Sequence, residues 1–122
     1  MMPAYLGTHI LLELRGCPAD LLRRPADSER ILLAAAEVMG ARVVESRFHA
    51  FSPHGVSGVV VIAESHVTVH TWPEHGYAAV DVFSCGNLDI EAGLTILREG
   101  YAASETEQRT FMRGRLPDVS GD

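Results

Sequence analysis

The chain has 122 residues, 47% of them hydrophobic, and a formal net charge of −6. That length suits one domain, 1–122, with a core of its own, and the composition excludes a disordered segment. The acidic balance argues against nucleic acid or an anionic membrane as partner. No apolar run is long enough to span a bilayer, and the first residues lack the basic start of a signal peptide, so a cytoplasmic protein is expected. Cys17 and Cys85 are then expected as thiols. All ten basic residues are arginines. Without lysine there is no attachment point for pyridoxal phosphate and no P-loop.

Thr8–Arg15 reads as a strand, with His9, Leu11, Glu13 and Arg15 on one face and Ile10, Leu12 and Leu14 on the other. Gly16-Cys17-Pro18 ends it. Asp27 or Ser28 offers an N-cap, and Ile31, Leu32, Ala35, Val38 and Met39 repeat at helical spacing over Glu29–Met39. Gly40 sits where a glycine ends a helix. Arg42–Phe51 reads as a second strand and Ser52-Pro53-His54-Gly55 as a turn. Strands over Ser57–Ala63, His66–Thr71 and Tyr77–Ser84 follow, with a turn at Pro73-Glu74-His75-Gly76. Asn87 or Asp89 caps a helix over Ile90–Arg98 that Gly100 stops. Ala103–Met112 reads as a polar last strand and Arg115–Asp122 as a tail. Several short consecutive strands and two helices predict an α+β fold, a two-layer sandwich of an antiparallel sheet with the helices on one face. The polar second face is left to water or to a partner.

One junction breaks the local rules. Two strand-like runs meet at Glu64-Ser65-His66, with no Gly, Pro or Asn to turn the chain. Beyond it His66, Thr68, His70 and Trp72 fall on one strand face, and Cys85 ends the next strand. Ser65, His70 and Cys85 thus bring a nucleophile, a titratable base and a soft acid to one hairpin-sized region. The same residues have ordinary uses: a turn serine, half-buried strand histidines, a cysteine packed as a small hydrophobe. His66, His70, His75 and Cys85 also offer zinc ligands, but at no familiar spacing, so no metal is expected.

The stretch GVSGVVVIAESHVTVHTWPEHGYAAVDVFSCG, with FHAFSPHGVSG, His9 and the helix at Glu29–Gly40 before it, resembles the small bacterial pyruvoyl-dependent S-adenosylmethionine decarboxylase proenzymes. The resemblance runs to Arg113-Gly114. It implies self-cleavage between Glu64 and Ser65, giving a β chain of residues 1–64 and an α chain of residues 65–122 whose first residue becomes a pyruvoyl group. It implies that His70 and Ser57 assist the cleavage. The pyruvoyl ketone would condense with the substrate amine and take up the electrons released with carbon dioxide, replacing the missing lysine chemistry. Cys85 would return the proton. Phe51 and Trp72 would sandwich the adenine of S-adenosylmethionine, and Glu74 would grip its ribose. Without the resemblance, these three read as core aromatics and a solvated turn carboxylate. The resemblance also implies a homodimer of processed protomers with sheets packed face to face and ligands drawn from both. The polar, lysine-free last strand departs from it. Two other readings are kept: a decarboxylase of ornithine or arginine on the same scaffold, and a subunit that never processes.

Overall fold

A computed structural model describes residues 4–117. Of the tail expected over 115–122, residues 118–122 lie outside the described residues. Six strands, β1 (Tyr5–Arg15), β2 (Val43–Ala50), β3 (Val56–Ile62), β4 (Ser65–Trp72), β5 (Tyr77–Ser84) and β6 (Glu105–Arg115), form one antiparallel sheet in the order β2-β3-β4-β5-β1-β6. Helices α1 (Ala19–Arg23), α2 (Pro25–Val38) and α3 (Ile90–Gly100) cover one face. The α+β class expected from the sequence is the class found.

Alternation decides which side of each strand is dry. Ile10, Leu12 and Leu14 of β1, Val60 and Ile62 of β3, Val67 and Val69 of β4, and Val80 and Val82 of β5 are buried against Leu32, Ala35, Leu94 and Leu97 of the helices. The intervening residues form an open face without helices: His9, Leu11 and Glu13, Ser57 and Val59, His66, Thr68 and His70, Asp81 and Phe83. Every residue of β6 is exposed, which explains its polar sequence.

Several boundaries differ from expectation. Among the described residues there are three α-helices rather than two, because ADLLR is too short to show a period. Helix α2 begins at Pro25, whose fixed φ suits a first turn, with Arg24 rather than Asp27 or Ser28 at the cap. Asp27 instead accepts from the Arg24 side chain at 2.8 Å, and Ser28 is buried under Tyr101. Asp89 caps α3, accepting from the Ala92 N–H at 3.2 Å. Gly100 does not stop α3 but is its last residue. A Cβ there would lie 2.8 Å from the Ile31 side chain, so glycine marks close helix contact, and the chain turns at Ala102 with φ 50°. Strand β1 starts three residues before Thr8, and β6 runs beyond Met112 to Arg115.

Candidate active site

The β3–β4 hairpin sets up the first group of residues. Ile62 pairs with Ser65, so the connection is only Ala63-Glu64 and Ser65 is the first residue of β4. Glu64 takes φ 68°, a left-handed conformation that glycine or asparagine adopts more readily. Only the second of the two turn residues has positive φ, whereas the turns that match the strand twist have a positive first residue. The backbone is therefore strained at the residue before Ser65.

Side chains converge on that strained unit. The Ser65 hydroxyl donates to the Glu64 carbonyl at 2.6 Å. The Cys85 thiol donates to the same oxygen, and the Cys85 N–H donates to Ser65 Oγ at 3.1 Å. Cys85 arrives there by register: His66 of β4 faces Phe83 of β5, so the residue two beyond Phe83 falls opposite Glu64. A hydroxyl beside a carbonyl whose oxygen also accepts from a thiol is arranged for acyl transfer. The sequence pointed to Glu64, Ser65 and Cys85, and the chain brings them together.

His70 is not among them. It lies five residues along β4 from Ser65, about 17 Å away at the usual rise of a strand. At that end of the sheet it pairs with Ser57 of β3, and Ser57 Oγ lies 2.7 Å from His70 Nδ1. Arg47, His49, Val59 and Thr68 line the open groove of about 540 Å³ beside them. The trio expected in one hairpin-sized region is thus divided, with Ser65 and Cys85 at one end of the hairpin and His70, paired with Ser57, at the other.

The expected aromatic residues share the His70 end. Phe51 follows β2 and is 51% exposed; Trp72 ends β4 and is 40% exposed. Trp72 stacks on Tyr77 with centroids 5.3 Å apart, and Arg15 lies over the other ring. With His75 these residues line a hollow of about 410 Å³. Burial, followed by a hydrogen bond to Glu13, pushes the Tyr77 phenol up to about 12, so it stays a neutral donor. Glu74 stands exposed on the short 3₁₀ turn Pro73–His75 beside Trp72.

One group escaped the sequence reading. Across β1, β5 and β4, Asp81 Oδ2 lies 2.6 Å from His9 Nε2 and 2.9 Å from His66 Nε2, while Thr68 donates to Oδ1. Burial acts to raise the Asp81 carboxyl, but the hydrogen bonds from Thr68, His9 and His66 hold it below the usual carboxylate range. Alternation placed each residue on the open face; only the strand order, which the sequence does not display, makes them neighbours. Among the described residues this is the one histidine, cysteine or acidic trio within shared ligating reach, and His70, His75 and Cys85 lie outside it.

The family described as S-adenosylmethionine decarboxylase matches residues 8–114. An S-adenosylmethionine decarboxylase proenzyme of Caldicellulosiruptor saccharolyticus is 59% identical over 89% of this chain and 89% of its own length. The proenzyme of Pelotomaculum thermopropionicum is 48% identical over 94% of this chain and 92% of its own. The crystal structure of the adenosylmethionine decarboxylase of Aquifex aeolicus superposes with a TM-score of 0.85 at 34% identity, covering 95% of this chain and 97% of that one. Agreement over nearly the full length, in sequence and in fold, makes this chain a member of the S-adenosylmethionine decarboxylase family.

Proposed function

We propose that this chain cuts itself between Glu64 and Ser65 and then decarboxylates S-adenosylmethionine, yielding the aminopropyl donor used in spermidine synthesis and carbon dioxide. One observation carries the reading: the Ser65 hydroxyl and the Cys85 thiol both meet the Glu64 carbonyl, at a residue with strained φ. In the cleavage, Ser65 Oγ attacks that carbonyl carbon and the Glu64–Ser65 C–N bond breaks, leaving an ester. Loss of the Ser65 α-proton expels the Glu64 carboxylate. Water then replaces the nitrogen, which departs as ammonia. His70, held at Nδ1 by Ser57, moves the protons, and Cys85 supplies a donor to the charge developing on the carbonyl oxygen.

The residues at the junction fit a pyruvoyl group, because the hydroxyl that must attack already hydrogen-bonds the carbonyl oxygen of the peptide that must break. Once formed, that group supplies the electron sink that a lysine-free chain lacks. Cys85, beside it, returns a proton to the product. Phe51 and Trp72 offer flat faces for adenine and for the sulfonium charge, and the two Glu74 oxygens can accept from two ribose hydroxyls.

The separation of the two pairs supports a dimer in which each site takes Ser65 and Cys85 from one protomer and Ser57, His70, Phe51, Trp72 and Glu74 from its partner. The sheets would meet through their open faces, which carry half-buried groups and no helix. No helix of the described chain is long and apolar enough to cross a membrane.

Intact mass tests the cleavage. Two chains dividing after Glu64 are expected, the second lighter by one ammonia than a serine-ended chain, and Ser65→Ala should stay whole. The processed protein should turn over S-adenosylmethionine in preference to ornithine or arginine. A wild-type chain that never divides, or the opposite substrate preference, overturns the reading.

A further inference from the structure

The cluster around Asp81 belongs to none of the roles above. Its three ligating groups suggest a cation site, but His9 argues otherwise. Arg113 Nη1 lies 3.2 Å from His9 Nδ1, and a guanidinium only donates. His9 Nδ1 is therefore the unprotonated nitrogen, and its Nε2–H points at Asp81. A neutral histidine bound to a metal through Nε2 carries its proton on Nδ1 and gives it to an acceptor. Arg113 occupies that place with a donor. The cluster is built to hold protons between its members and keep Asp81 ionised.

Its position gives it a use. Before cleavage Ser65 is fixed from two sides, by the peptide bond to Glu64 and by pairing with Ile62. Cleavage removes the first. It also removes the Ser65 nitrogen as ammonia, so the new chain end has no backbone N–H of its own to pair. The first backbone amide of the α chain is then that of His66, and chain ends without such ties fray. The His66 side chain is gripped by Asp81 at 2.9 Å and stacks on Phe83 with centroids 5.9 Å apart. Two residues on, Thr68 holds the other Asp81 oxygen. His9 braces the carboxylate from β1 at 2.6 Å.

We infer that Asp81 is a positioning residue that acts through His66, fixing the chain end created by cleavage so that the group made from Ser65 stays against Cys85. The inference rests on the self-cleavage reading, because an uncut hairpin needs no such anchor. It separates two stages of the protein's life: the turn positions Ser65 for the cut, and the Asp81 grip positions what replaces it for turnover.

The experiment compares Asp81→Asn with wild type, both as processed enzyme and in an uncleaved Ser65→Ala background. Asp81→Asn should divide into two chains, and its kcat should fall at least about tenfold with KM changed little, as expected when a reacting group is misplaced rather than a substrate unbound. Hydrogen exchange at the His66–Thr68 amides should speed up about tenfold in the processed variant and by much less in the uncleaved one. Equal acceleration in both backgrounds means a merely structural role and overturns the inference, as does an unchanged kcat. If Asp81→Asn does not fold, His66→Ala and His66→Gln read the same point. Glutamine keeps an N–H for Asp81 and should recover most of the kcat that alanine loses, and equal losses overturn the inference. A wild-type chain that stays whole overturns the cleavage reading instead, and is seen by mass before any variant is made.

Discussion

At the scale of one residue, Glu64 is where conformation and chemistry meet. Its φ of 68° costs about 1 kcal/mol relative to glycine. Strain in the peptide proposed for cleavage would raise the energy of the uncut chain, and the cut would release it. Glu64→Gly should therefore slow division of the chain about fivefold, the factor that corresponds to 1 kcal/mol. A time course of chain appearance after synthesis checks this, and an unchanged rate removes strain from the account. The two cysteines form a contrast at the same scale. Burial pushes the Cys17 thiol up to about 11, while Cys85 stands exposed at the junction. An alkylating reagent at neutral pH should mark Cys85 first and Cys17 only after unfolding, as peptide mass would show. Marking of Cys17 in the folded protein would contradict the buried packing described for it.

At the scale of elements, the contact of α2 with α3 decides whether the helical layer holds. Tyr101, just past α3, donates its hydroxyl to Ser28 Oγ of α2 at 2.7 Å, with both residues fully buried. Tyr101→Phe leaves the Ser28 hydroxyl without that donor in a dry place, a cost of about 1–2 kcal/mol. Thermal unfolding should shift down by about 4–8 °C. A shift near zero would mean that Ser28 finds another partner. The sequence showed the stripe of Ile31, Leu32, Ala35 and Met39, though it put the exposed Val38 there too, and offered Asp89 as a cap beside Asn87, because both signals are local, one a period and the other a side chain three residues from its N–H. It did not show why Ser28 is a serine or Gly100 a glycine. Each answers to a residue outside its own helix, Tyr101 just past α3 and Ile31 on α2, and no spacing within one helix encodes that. The polar strand β6 was legible only loosely, since an edge strand exposed throughout has little alternation to read.

At the scale of the whole molecule, the site raises a question of reach. The sequence groups Ser65, His70 and Cys85 in one stretch, because strand phase and motif order are both written along the chain. It did not convey that a straight strand holds Ser65 and His70 apart, since proximity in sequence becomes distance once β4 is extended. One sheet cannot close that gap; two sheets related by a two-fold axis can, with each end of one opposite the other end of its partner. This yields a test that needs no structure of the dimer. Co-expression of a Cys85→Ala chain with a His70→Ala chain gives mixed dimers. If each site draws on both protomers, one site of a mixed dimer has both residues intact, and its His70→Ala chain is cut by the His70 of the other. With random pairing, about a quarter of the wild-type sites should be active. If instead each chain completes its own site, no pairing restores one, and the mixture stays as inactive as either variant alone. The same samples read twice, since a cut chain recovered by mass should carry the His70→Ala substitution when the sites are shared, and no His70→Ala chain should be cut when they are not.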